Sequence, residues 1–85
     1  MPYRIEFSPR ADRDIDALPR EAQTRVRTRI DALALNPRPA GVEKLAGETG
    51  TYRVRVGTYR ILYEIHDRFL LVVLLKIGHR REVYR

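Results

Sequence analysis

The sequence predicts an α+β fold: a strand, a two-helix hairpin, then an antiparallel three-strand meander, with the helices on one face of the sheet. Three observations predict it. Apolar residues recur at helical spacing between residues 11 and 33, and they alternate with polar ones before and after that stretch. Only one face of the strands carries enough apolar material to pack against helices. At 85 residues the chain fits one domain, residues 1–85, with one modest core.

Residues 3–7 (Tyr3-Arg4-Ile5-Glu6-Phe7) alternate as a half-buried strand does. Ser8-Pro9 then joins a capping residue to proline at the first helical position. Ala11, Ile15 and Leu18 give a short amphipathic helix, interrupted at Pro19. A second helix over residues 20–35 places Ala22, Val26, Ile30 and Leu33 on one stripe, with Arg25, Arg27 and Arg29 read as a solvated face. Asn36-Pro37-Arg38-Pro39 stops it, because proline disfavours helical backbone in the residue before it. Residues 40–50 read as a glycine-containing loop. Residues 51–56 and 59–66 alternate around the tight Gly57-Thr58 link, and Asp67-Arg68 makes a second turn. Residues 69–77, apolar on both faces, read as a central strand. A basic tail follows.

The balance is 17 Lys+Arg against 11 Asp+Glu, a net +6, and of the basic residues only Lys44 and Lys76 are lysine. Arginine's planar fork grips phosphate in two places and stacks on bases, so the surplus points to an anionic partner, nucleic acid before an acidic protein segment. A genome rich in arginine codons gives the same composition without function. The half after residue 45 carries the larger share of the excess. The absence of cysteine excludes disulfides, thiolate catalysis and cysteine-held zinc, and the two histidines lack acidic companions at metal-ligand spacing. No run approaches the ~20 apolar residues of a membrane span, and no signal-peptide layout begins the chain, so a cytoplasmic location is expected.

Arg53 and Arg55 project to one side of their strand about 7 Å apart, close to the repeat of phosphates in an extended nucleic acid. Arg60 joins them from the next strand. Like charges so close repel unless an anion sits among them, or unless Glu64 and Glu48 neutralise them in a surface network. The tail is expected to bring His79, Arg80, Arg81 and Tyr84 beside this face. His79 carries an imidazole, the side chain suited to proton transfer near neutrality, and Tyr84 serves either as a packing residue or as a phenol among arginines.

The element order resembles the RelE/ParE superfamily of bacterial toxins. So do Lys44-Leu45-Ala46-Gly47, Tyr52-Arg53-Val54-Arg55, Tyr59-Arg60-Ile61-Leu62-Tyr63 and Gly78-His79-Arg80-Arg81-Glu82-Val83-Tyr84. The ending is similar to the RelE branch, whose members cut messenger RNA in the decoding site of the ribosome. The resemblance implies Arg60, Arg80, Tyr84 and His79 as catalytic residues, and Arg53, Arg55, Lys44 and Arg81 as phosphate- and RNA-binding ones. It implies 2′-hydroxyl attack on the adjacent phosphate with no metal or other cofactor. It also implies a cognate antitoxin, the ribosome and messenger RNA as partners, and no membrane. Ala46 departs from the pattern, standing where some members carry another basic residue, and the tail is shorter. The ParE branch shares the fold and poisons DNA gyrase without being a nuclease; a basic module that binds RNA without cutting it is the remaining alternative.

Overall fold

The computed structural model describes residues 2–45 and 50–79. They form β1 (Arg4–Phe7), α1 (Pro9–Asp16), α2 (Arg20–Leu35), β2 (Glu43–Lys44), β3 (Thr51–Val56), β4 (Tyr59–His66) and β5 (Leu71–His79), with a 3-10 turn at Asp67–Phe69. The strand order is β1-β5-β4-β3-β2. The meander β3-β4-β5 is antiparallel, while β1 lies parallel to β5. A parallel pair needs a long crossover, and the helical hairpin begins it.

Ser8 caps α1 by accepting from the Ala11 amide at 3.0 Å, while its hydroxyl donates to the Leu75 carbonyl at 3.0 Å. Asp14 Oδ2 accepts from the Ile77 amide at 2.9 Å. Beyond the end of β1, these two side chains satisfy backbone groups of β5 that no neighbouring strand reaches there. Gln23 Nε2 donates to the Ile15 and Asp16 carbonyls at 2.9 and 3.3 Å, tying the end of α1 to α2. The core forms between Ala11, Ile15, Val26, Ile30 and Leu33 of the helices and Tyr52, Val54, Ile61, Tyr63, Ile65, Val72, Leu74 and Ile77 of the sheet. The helices therefore cover one face, and the other carries only a small apolar cluster of Leu45, Leu62 and Leu75.

Two expectations change. Residues 40–50 are not all loop: Glu43 and Lys44 pair with Arg53 and Tyr52 as an added edge strand. The strand expected at residues 69–77 begins instead at Leu71, and Phe69 lies in the turn, 67% exposed. Leu70 ends that turn at φ +48°, its amide bonded to the Asp67 carbonyl at 3.1 Å, so the chain reverses before it can pair.

A candidate phosphate-binding cleft

Cross-strand partners share a face, and the register pairs Tyr52 with Tyr63 and Val54 with Ile61 inside the core. It therefore puts Arg53, Arg55 and Arg60 together on the side away from the helices. Arg55 and Arg60 are direct partners across β3 and β4. Two like charges directly opposite destabilise a sheet, so the pairing opposes folding unless something negative lies between them.

Glu43 supplies part of that charge. Its Oε1 accepts from Arg53 Nε at 3.0 Å and lies 3.7 Å from Arg60. The hydrogen bond from Arg53, and then the fields of Arg53, Arg60 and Arg55, hold the Glu43 carboxyl below the usual carboxylate range. Of the two acids that the sequence offers as neutralisers, Glu64 turns elsewhere, contacting His66 at 3.0 Å, and Glu48 lies outside the described residues. Glu43 was hidden in a stretch that reads as loop. Arg53 and Arg60 are mostly covered, their side chains 15% and 17% exposed, whereas Glu43 is 57% exposed. A carboxylate so open to water holds its partners weakly, on the order of 1 kcal/mol or less, and yields readily to a better anion.

These groups line a cleft of about 340 Å3 at the edge of β3, where the two-residue β2 stops. Ala40 and Gly41 form one wall, and Arg29 enters from α2. The loop that carries Ala40 and Gly41 is stapled from several sides. Tyr63 donates to the Pro37 carbonyl at 2.7 Å; Arg38 donates to both Asp67 oxygens at 3.2 and 2.9 Å, and to the Tyr52 hydroxyl at 3.1 Å. Tyr3 adds a 2.7 Å bond to Asp67. Hydrogen bonds from Arg38 and Tyr3 lower the Asp67 pKa to about 2, although burial opposes them slightly. Burial pushes the Tyr63 phenol well above its ordinary value, against an opposing pull from Arg29.

The Nε atoms of Arg29 and Arg60 are shielded from solvent and have no hydrogen-bond partner among the described residues. A shielded N–H without an acceptor is costly, and both of these arginines line the same basic cleft. Arg29 escaped the sequence reading as part of a solvated face. The available signal was its spacing: 22, 26, 29 and 33 follow one another at four, three and four residues, which puts Arg29 on the flank of the buried stripe.

Other predicted site residues part company with the cleft. Lys44 pairs with Tyr52, on the helix side of the sheet at its outer edge. His79 pairs with Tyr59, their rings 6.0 Å apart edge to face, also on the helix side rather than beside the arginines. The cause is a bulge at Leu75: Tyr63 pairs with Leu74 but Leu62 with Lys76, so the alternation of β5 shifts by one residue. Ile77 thus returns to the core and His79 follows it. Arg80, Arg81 and Tyr84 lie outside the described residues.

The chain is a small α+β domain that gathers arginines on one face and edge of its sheet; comparison with known proteins defines its family. The model of the ParE toxin of the type II toxin–antitoxin system parDE matches residues 5–84, and the chain belongs to this RelE/ParE family of toxins. Toxin RelG of Mycobacterium tuberculosis is 37% identical over 86 residues, spanning 100% of this chain and 99% of that protein. The RelBE2 toxin–antitoxin complex of the same organism superposes with a TM-score of 0.83 at 35% identity, over 94% of this chain and 93% of that one. An archaeal RelE–RelB complex from Pyrococcus horikoshii gives 0.82 at 28% identity, over 94% and 97%.

Proposed function

We propose that this toxin is a ribosome-dependent endoribonuclease that cuts messenger RNA in the decoding site. The observation that carries the reading is the arginine cleft, with Arg55 and Arg60 directly opposed and shielded guanidinium donors lacking acceptors. The similarity to RelG and to toxins of RelE–RelB complexes supports the RelE branch. In the reaction an RNA 2′-oxygen attacks the adjacent phosphorus and loses its proton. The bond from phosphorus to the 5′-oxygen breaks, and that oxygen gains a proton. The products are a 2′,3′-cyclic phosphate and a 5′-hydroxyl.

Negative charge grows on the phosphorane oxygens in the transition state. Fixed cationic donors aimed there stabilise it by on the order of 3 kcal/mol each, about a hundredfold in rate, and can do so without a metal ion. Arg60 holds the scissile phosphate; Arg53 and Arg55 complete the clamp from β3, and Arg80 and Arg81 add to it from the tail. Glu43 leaves the seat as the phosphate enters. Because the register turns His79 to the helix side, Tyr84 is the first residue to test for proton transfer, with His79 second. The ribosome aligns the RNA for in-line attack, which offsets a sparse proton-transfer set. The two solved relatives named above are toxin–antitoxin complexes, and this toxin is held in check by a cognate antitoxin presenting acidic groups to the same cleft.

Primer extension on messenger RNA, with and without programmed ribosomes, tests the proposal. Cutting only on ribosomes, abolished by Arg60→Ala and reduced by Tyr84→Phe, is expected. The ParE name of the matching family model favours one other reading, poisoning of DNA gyrase. Absence of cutting in both conditions, with inhibition in a gyrase supercoiling assay, establishes that reading instead.

A further inference from the structure

Arg29 is not among the residues that the family resemblance assigns to RNA, yet it lines the same cleft as Arg53, Arg55 and Arg60. It comes from the other layer of the molecule. The three strand arginines project from the open face, whereas Arg29 reaches the β3 edge from α2, held between Val26 one turn before it and Leu33 one turn after, both fully buried. Glu43 contacts Arg53 and Arg60, but Arg29 makes no ion pair among the described residues. Its Nε is shielded and lacks an acceptor. The adjoining wall is Ala40 and Gly41, small residues that leave the approach open; a side-chain carbon built on Gly41 would meet nothing within 4 Å.

We propose that Arg29 forms a second phosphate seat, in which the bound RNA strand turns round the β3 edge and places on Arg29 the phosphate next to the one held by Arg60. The cleft then grips two neighbouring phosphates from two layers of the fold, and so selects a bent strand over an extended one. The inference rests on the reading of this cleft as an RNA site. Guanidinium suits the second seat because its planar fork takes two oxygens of one phosphate, which an ammonium group does not.

The test is binding of a 2′-O-methylated RNA oligomer, which 2′-hydroxyl attack cannot cut, by fluorescence anisotropy over a salt series. Wild type is compared with Arg29→Gln, Arg60→Gln and Arg13→Gln, the last an exposed arginine of α1. Arg29→Gln is expected to weaken binding about tenfold at low salt. It is also expected to flatten the log–log salt slope by about 0.7, one phosphate contact on a single strand. Arg13→Gln retains the wild-type slope. Arg29→Gln matching Arg13→Gln in affinity and slope overturns the second seat, while a weakened Arg60→Gln still upholds the cleft. Arg60→Gln matching Arg13→Gln overturns the cleft itself. Thermal melting separates binding from folding: removing a partly exposed cation that makes no ion pair among the described residues should leave the melting temperature unchanged or raised. If Arg29→Gln does not fold, Arg29→Lys keeps the charge and loses the fork. It is expected to keep the slope and lose affinity, and wild-type affinity there overturns the proposal.

Discussion

Glu43 shows how much one exposed carboxylate does. It sits among cations that repel one another, and in the proposed function it holds the place that a phosphate takes. Neutralising it removes a competitor without touching a phosphate ligand. Glu43→Gln should therefore raise affinity for single-stranded RNA several-fold, about 1 kcal/mol, measured by anisotropy at fixed low salt. A fall in affinity would show that Glu43 positions Arg53 rather than competing with RNA. Asp67 carries the clearest pH signature. Its folded pKa of about 2 lies below the ordinary aspartate value near 3.8, so it contributes stability that is present above pH ~4 and lost as pH falls toward 2. The melting temperature of the wild type should drop across that window. In Asp67→Asn the drop should be smaller, because the group that titrates is gone.

Among the elements, α1 does more than cover the sheet. Ser8 caps its own helix and bonds the Leu75 carbonyl, at the bulge that decides which way the end of β5 faces. Ser8→Ala should cost about 1 kcal/mol from the lost cap, read as a lower urea midpoint with an unchanged slope. The bulge also explains what sequence could and could not tell. Arg53, Arg55 and Arg60 were legible as one face because β3 and β4 keep strict alternation from Thr51 to His66 across the hairpin. Gly57, at φ +59°, supplies the positive backbone angle of that link. The side on which His79 falls was not legible. β5 is apolar on both faces up to Leu75, and the single mark of the one-residue shift is Lys76, which unbroken alternation from Leu74 would turn into the core. The edge strand at Glu43–Lys44 is too short for any periodicity to appear, and with it the acid of the cleft was missed. Arg29 sits at the flank of a helical stripe, where spacing alone does not separate a solvated arginine from one folded in against the sheet.

For the whole molecule, the decisive feature is that both helices pack on one side of the sheet. The opposite side is left to arginine, and the edge of β3 is left open where β2 ends. A net charge of +6 draws polyanions toward the chain without discrimination, and in the proposed function the cleft adds the particular grip. In the proposed reaction this grip acts on the scissile phosphate in the transition state. The measurement that tests it most directly is the single-turnover rate of messenger RNA cleavage on programmed ribosomes, for wild type, Arg60→Ala and Arg13→Ala, at saturating toxin. The cleft predicts a loss of about a hundredfold or more in Arg60→Ala and wild-type rates in Arg13→Ala. Equal rates for all three would contradict it and move the chemistry away from the open face of the sheet.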